Sequence, residues 1–103
     1  MKEKFDRIHH IAIQVTNIEQ SVKWYKKSFA CNVSYQDNSW ALIEFENTCL
    51  SLVLPSQHPR HVAIISENPS IYGQPVNHRD GSSSVYIKDK DGNTIEMIKL
   101  KDS

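Results

Sequence analysis

Two histidines and one glutamate stand where the sequence predicts strands of a buried sheet. His10 opens the phrase His-Ile-Ala-Ile, and His61 opens the related phrase His-Val-Ala-Ile 51 residues further on. Glu96 lies between Ile95 and Met97 in the last apolar stretch. A carboxylate buried there needs a partner, because an unpaired buried charge is costly. Two imidazoles and one carboxylate are a ligand set that Fe(II), Mn(II), Zn(II), Co(II) or Ni(II) accepts, with coordination positions left open.

A single histidine in a strand is more often hydrogen-bonded or exposed than a metal ligand. The symmetric placing of His10 and His61, together with Glu96, favours the metal interpretation. The other histidines do not gain from this pattern. His9 points to the opposite strand face from His10, and His58 lies between the two halves of the chain. His78 either lines the cleft between the halves or lies at the surface, and the surface is the favoured position.

The first half of the chain predicts the order β-α-β-β-β. Alternation in residues 9–15 puts His10 on one strand face and an apolar set, Ile11, Ile13 and Val15, on the other, and this apolar face is predicted to pack in the core. Asn17 followed by Gln20 is a capping-box pattern, and it opens an amphipathic helix of about three turns. Three β-type segments follow, at residues 32–36, 40–45 and 49–54.

The second half repeats this order in a shortened form. Its first strand begins at His61, and the remaining strands are predicted at residues 76–79, 83–88 and 94–100. The last strands of the two halves align at an offset of 45 residues, which is six fewer than the offset of the first strands. The shortening falls in residues 67–75, where two prolines and a glycine leave room for one helical turn at most.

The composition describes a single domain without a strongly charged surface. The 103 residues contain 12 Lys and Arg and 12 Asp and Glu, so the formal net charge is zero. This balance argues against nucleic acid or an anionic membrane as the main partner. Neither a membrane-spanning run nor a signal-peptide pattern is found, and we expect a cytoplasmic protein. Cys31 and Cys49 lack metal or redox spacing and are predicted to act as small hydrophobic residues.

Three segments of the chain resemble the vicinal oxygen chelate superfamily, which includes glyoxalase I, fosfomycin- and bleomycin-resistance proteins, methylmalonyl-CoA epimerase and extradiol dioxygenases. They are HHIAIQVTNIEQSVKWY, RHVAI and SVYIKDKDGNTIEMI. The resemblance implies that His10, His61 and Glu96 are the metal ligands. It also implies an α+β fold in which two βαβββ modules, residues 7–54 and 59–100 of one domain spanning 1–103, form a U-shaped mixed sheet around a cleft. The helix of the second module is reduced or missing.

Two departures from the superfamily pattern carry information. In glyoxalase I a glutamate in the last strand of the first module serves as ligand and base, and the 45-residue offset places Ser51 at that position. Glyoxalase I chemistry is therefore disfavoured. The reduced second helix leaves an apolar surface that either Ile71 and Tyr72 or another chain must cover. Together with the resemblance, this predicts a homodimer.

Two classes of function remain open from the sequence. The first is a metal-dependent lyase, dioxygenase or fosfomycin-type transferase or hydrolase. It would bind a small molecule through two neighbouring oxygens, with Ser51 and Tyr86 as catalytic candidates. Tyr86 shares a strand face with Ser84 and is a possible hydrogen-bond donor to a developing oxyanion. The second class is a metal-free protein of the bleomycin-resistance type that sequesters a small ligand. The sequence does not name the metal or the substrate.

Overall fold

The computed structural model describes residues 4–101. Within this range the chain forms one α-helix, one short 3₁₀ helix and eight strands. In chain order they are β1 (Ile8–Gln14), α1 (Ile18–Ser28), β2 (Asn32–Gln36), β3 (Trp40–Glu44), β4 (Cys49–Val53), β5 (His61–Ile65), the 3₁₀ helix (Pro69–Ile71), β6 (Val76–Asn77), β7 (Ser83–Lys88) and β8 (Thr94–Lys99). Neither helix is long and apolar enough to cross a membrane.

The chain divides into two compact units. Residues 10–61 form one unit, and residues 62–101 with residues 4–9 form the other. The first unit has the strand order β2-β3-β4-β1, and the second has the order β5-β8-β7-β6. In each unit the first strand pairs in parallel with the last, while the remaining pairs are antiparallel. The predicted α+β class is confirmed.

Helix α1 begins where the capping pattern predicts. The Asn17 side-chain oxygen accepts the Gln20 backbone N–H at 2.8 Å, which satisfies one of the free donors of the first turn. The helix then buries Ile18 and Val22. These two side chains form a core cluster with three buried residues of β3 and β4, namely Ala41, Ile43 and Leu52.

The apolar face of β1 is only partly buried. Ile13 and Val15 pack against the core cluster, as the alternation predicts. Ile11, on the same face, remains 41% exposed, so its predicted burial is wrong. Of these three apolar residues, Ile13 and Val15 are among the side chains that pack on the cluster, and Ile11 is not.

The second unit lacks a counterpart of α1, as predicted from its prolines. The 3₁₀ helix Pro69–Ile71 takes the place of that helix, and Pro69 is its buried residue. Ile71 is 70% exposed and therefore does not cover the sheet, contrary to one of the two alternatives given by the sequence. Tyr72 is also exposed.

The strand registers of the two units match at the positions of the repeat. In the first unit, Ala12 of β1 pairs with Ser51 of β4. In the second, Ala63 of β5 pairs with Glu96 of β8. Each alanine lies two residues after a histidine, His10 or His61, so side chains of equivalent residues point to equivalent faces. The offsets read from the sequence therefore correspond to a real equivalence in backbone pairing.

A tight hairpin joins β6 and β7. The predicted strand at residues 76–79 is shorter in the structure and ends at Asn77. His78 then donates its backbone N–H to Ser82 at 2.8 Å, and Gly81 completes the turn with φ +93°. That positive φ favours glycine, because a Cβ would be strained there. The turn holds the backbone of His78 in a fixed position beside β7.

Candidate metal centre

His10 and His61 are buried and face one another through the same ring atom. Their Nε2 atoms lie 3.3 Å apart, and the ring planes are inclined by 71°. Both residues belong to the unit of residues 10–61. Each Nε2 directs either a proton or a lone pair toward the other ring, so the two rings cannot each donate a hydrogen bond to the other. Each Nε2 is therefore placed to share either a proton or a cation with its partner.

A hydrogen bond at the second ring nitrogen of His61, Nδ1, fixes the orientation of its ring. Its Nδ1 lies 2.9 Å from the backbone oxygen of Pro59. A carbonyl oxygen only accepts, so Nδ1 carries the proton and the Nε2 of the neutral ring has its lone pair exposed toward His10. A backbone carbonyl that accepts from the second ring nitrogen is a frequent partner of metal-binding histidines.

Glu96 is buried in the other unit, in the middle of β8. Its backbone pairs with Ala63 on one side and with Tyr86 on the other. Directly paired residues project to the same face of a sheet, so Tyr86 and Glu96 are neighbours on one face. The Glu96 Oε2 atom also lies 3.5 Å from the Nε2 of His78. The carboxylate predicted to need a partner thus has one.

His10, His61 and Glu96 together satisfy the distance condition for a shared cation. One possible ligand atom from each lies within 4.8 Å of the other two, and all three residues are buried. Among residues 4–101 no other group of three His, Cys, Asp or Glu side chains does so.

The two histidines fit metal coordination closely. Metal–nitrogen bonds of about 2.0–2.1 Å put neighbouring ligand nitrogens about 2.9 Å apart in octahedral and about 3.4 Å apart in tetrahedral geometry. The observed separation of 3.3 Å between the Nε2 atoms falls within that interval. The donor set, with two borderline nitrogen ligands and one hard oxygen ligand, suits divalent ions of the first transition row.

The two residues predicted to be catalytic occupy different surroundings. Tyr86 is 36% exposed on β7, and both burial and the nearby charge of Glu96 raise the pKa of its phenol. Its hydroxyl therefore keeps its proton and is able to donate a hydrogen bond. Ser51 is buried in β4, between Ala12 of β1 and Leu42 of β3.

The prediction that His78 lies simply at the surface is wrong. Its Nε2 is 2.7 Å from Ser84 Oγ and 3.5 Å from Glu96 Oε2, and the ring is partly buried. The hydrogen bond with Glu96 raises the pKa of His78, while burial lowers it and the charge of Asp80 adds to the increase. The signal for this contact was the Asp80-Gly81 turn, which folds His78 back beside Ser84.

The remaining histidines and cysteines do not join this group. His9 and His58 do not belong to the metal-compatible cluster found among the described residues. The backbone oxygen of His58 accepts a hydrogen bond from Gln14 Nε2 at 3.0 Å. Cys31 and Cys49 are free thiols and partly buried, and burial followed by the charge of Glu44 raises the pKa of Cys49.

Comparison with known proteins identifies the fold. No protein-family model and no curated protein matches the chain. A hypothetical protein from Bacillus halodurans C-125 matches with a TM-score of 0.75 and 18% identity, covering 97% of this chain and 98% of its own. Methylmalonyl-CoA epimerase from Streptomyces coelicolor matches with a TM-score of 0.75 and 16% identity, over 94% and 99% of the two chains.

A third solved structure carries the name of the superfamily. It is a glyoxalase/bleomycin resistance protein/dioxygenase superfamily member from Vibrio splendidus 12B01, with a TM-score of 0.61 and 9% identity over 92% of this chain and 99% of that one. The chain therefore has the vicinal oxygen chelate fold, which confirms the resemblance seen in the sequence. Its neighbours in this fold include enzymes.

Proposed function

We propose that this protein is a metal-dependent enzyme that binds a small molecule through two neighbouring oxygen atoms. His10, His61 and Glu96 are the proposed ligands of a divalent ion. The observation that carries this proposal is the 3.3 Å separation of the two buried Nε2 atoms of His10 and His61. The Nε2 atom of His61 presents its lone pair because Nδ1 of the same ring donates its proton to the Pro59 carbonyl. A cation at this site supplies Lewis-acid polarisation of the oxygens of the substrate.

The chain itself contributes orientation and one hydrogen-bond donor. His61 is held by Pro59 and needs no change of tautomer, whereas a neutral His10 must carry its proton on Nδ1 to offer Nε2 as a ligand. Tyr86, on the same face as Glu96, donates a hydrogen bond from its hydroxyl to an oxygen of the substrate that gains negative charge. Ser51 is a neutral group whose backbone pairs with Ala12, two residues after His10, and its hydroxyl accepts or donates a hydrogen bond.

The proposed substrate class is a small molecule that carries two oxygens on adjacent or nearby carbons, and the reaction is of lyase, dioxygenase or transferase type. A relative of the same fold is an epimerase solved with methylmalonyl-CoA, at 17% identity. Fe(II), Mn(II), Zn(II), Co(II) and Ni(II) are the ions to test first, because each accepts two imidazoles and a carboxylate.

Metal affinity measured by competition with a chromophoric chelator tests the ligand set. Glu96→Gln and His61→Gln should each weaken binding at least about 100-fold, because each removes a direct ligand. Glu67→Gln, at an exposed position, and His58→Gln, outside the cluster, are matched controls and should bind as the unmodified protein does. Equal affinity in Glu96→Gln and Glu67→Gln would overturn the proposal.

A pair of probes tests the mode of substrate binding. Catechol offers two neighbouring oxygens and phenol offers one, on the same ring. With Co(II) bound, catechol should change the visible absorption of the protein at concentrations at which phenol does not, and the metal should stay with the protein during gel filtration. Identical titrations with the two probes would argue against chelation.

A metal-free binding protein is the second candidate. The observation that favours it is the hydrogen bond between His10 and His61, since the two rings already satisfy one another. Such a protein would bind a small ligand with the same affinity before and after treatment with a chelator. The metal-affinity measurement separates the two candidates, because the sequestration protein would show no tight site for any of the five ions.

We also propose that the protein forms a homodimer in the cytoplasm. Support for the dimer comes from the short 3₁₀ helix of the second unit and from two exposed apolar residues, Ile71 of that helix at 70% and Val76 of β6 at 57%. An apolar sheet surface that lacks its covering helix is expected to be buried at an interface. Sedimentation at micromolar concentration should give twice the mass of one chain, and a monomer would contradict this proposal.

A further inference from the structure

His78 contacts a proposed metal ligand without being one itself. Its Nε2 lies 3.5 Å from Oε2 of Glu96 and 2.7 Å from Oγ of Ser84. It is absent from the group of side chains whose ligand atoms converge with those of His10 and His61. Its position is set by the β6–β7 turn, in which its backbone N–H bonds to Ser82 at 2.8 Å.

The chemistry of the two partners determines which form of His78 fits. A carboxylate oxygen only accepts hydrogen bonds, whereas a serine hydroxyl both donates and accepts. The tautomer with a proton on Nε2 is favourable toward both partners, while a lone pair on Nε2 would repel Glu96. Ser84 is completely buried, so its hydroxyl keeps the ring in place without competition from water.

We propose that His78 is a positioning residue that orients the Glu96 carboxylate for the metal through the contact of its Nε2 with Oε2. This inference rests on the proposed metal site. A carboxylate restrained in this way would present its oxygen to the ion in a fixed orientation, which favours metal binding.

Three variants test this role through metal affinity. His78→Ala should weaken metal binding about 10- to 100-fold, the usual range for loss of a group that orients a ligand. His78→Gln keeps an N–H donor and should recover most of that loss. Ser84→Ala leaves the imidazole present but unanchored and should give an intermediate loss. Ser83→Ala, one residue earlier and on the opposite face of β7, is the matched control and should have no effect.

The Co(II) spectrum provides a readout that a purely structural role would not move. Release of the Glu96 carboxylate in His78→Ala should alter the coordination of Co(II) and therefore change the visible d–d bands. An unchanged spectrum together with unchanged affinity in His78→Ala would overturn the proposal. If His78→Ala does not fold, Ser84→Ala is the deciding variant. A metal affinity of Ser84→Ala equal to that of Ser83→Ala would then overturn the proposal.

Glu96→Gln separates this proposal from the one on which it rests. If Glu96→Gln binds metal as tightly as the unmodified protein, the metal site itself is wrong. If Glu96→Gln loses affinity while His78→Ala and Ser84→Ala keep it, only the positioning role of His78 is wrong. A loss in all three, with recovery in His78→Gln, supports both.

Discussion

Ser51 occupies in the first unit the position that Glu96 occupies in the second. Each pairs with an alanine two residues after a histidine, and each is buried. The two equivalent positions therefore carry a neutral side chain and an anionic one. This asymmetry limits the number of charged ligands that the protein offers, and it leads to the first two predictions.

We expect Ser51→Glu to strengthen metal binding at least about tenfold, because a second carboxylate would join the ligand set. Ser51→Ala should change affinity less than about threefold, since a neutral hydroxyl is a poor ligand. Competition titration with a chelator measures both. Ser34→Glu places the same charge at an exposed position of β2 and serves as the control. Equal gains in Ser51→Glu and Ser34→Glu would show that the added charge acts from a distance and not as a ligand.

The unmodified protein should not isomerise the hemithioacetal of methylglyoxal and glutathione with any of the five ions. Ser51 has no carboxylate to act as ligand and base, and proton transfer by such a group contributes about 10²–10⁴-fold to a rate. The formation of lactoylglutathione can be followed by its ultraviolet absorption. Turnover typical of glyoxalase I would mean that another residue supplies the base and that Ser51 is not the decisive difference.

Asp37, in the β2–β3 turn, should make the free energy of unfolding depend on pH. Burial raises the pKa of Asp37, but hydrogen bonds from the Tyr35 hydroxyl and from Ser39 and Trp40 outweigh this and lower it to about 2, from 3.8. The stabilisation is therefore complete above about pH 4 and is lost as the pH falls toward 2. At pH 7, Asp37→Asn should lower the free energy of unfolding by about 1 kcal/mol, a value reduced by solvent screening.

Urea denaturation at pH 7 and at pH 2.5 tests this dependence. The difference between Asp37→Asn and the unmodified protein should shrink at the lower pH, because the carboxyl is then partly protonated. Tyr35→Phe removes one of the hydrogen bonds and should show a smaller effect of the same sign. A difference that is constant between the two pH values would exclude ionisation of Asp37 as its source.

Removal of the helix cap should destabilise the first unit. Asn17→Ala deletes the acceptor of the Gln20 N–H and is expected to lower the free energy of unfolding by about 1 kcal/mol. Asn68 stands at the same position before the 3₁₀ helix, where its side chain accepts from the Ser70 hydroxyl but from no backbone N–H. Asn68→Ala is therefore a matched control that also removes a side-chain hydrogen bond but no backbone cap. Thermal or urea unfolding measures both, and equal losses would contradict the capping role of Asn17.

The repeat explains why the sequence predicts three buried side chains of the candidate site. The phrases that begin at His10 and His61 mark equivalent strands, and an apolar residue on each side of Glu96 indicates that its strand is buried. Strand and helix bounds followed from alternation, the Asn17 cap and the turn residues. The structure agrees with these to within one or two residues for most elements.

The contact of His78 could not be predicted in the same way. It depends on where a two-residue strand ends and on the turn that follows, and neither leaves a periodic pattern in the sequence. The exposure of Ile11 has a related origin. Alternation assigns a side chain to a face of the sheet, but the extent of the packing against that face is decided by distant residues such as Ile18 and Leu52.

The neutral side chain of Ser51 also sets the charge balance of the proposed centre. Two imidazoles and the single carboxylate of Glu96 leave a bound divalent ion with one positive charge that the protein does not compensate. A chelating molecule that carries one negative charge would make the whole assembly neutral, and a doubly charged one would leave an excess in a buried position. We therefore expect the singly ionised form of a two-oxygen ligand to be selected over both its neutral and its doubly ionised forms.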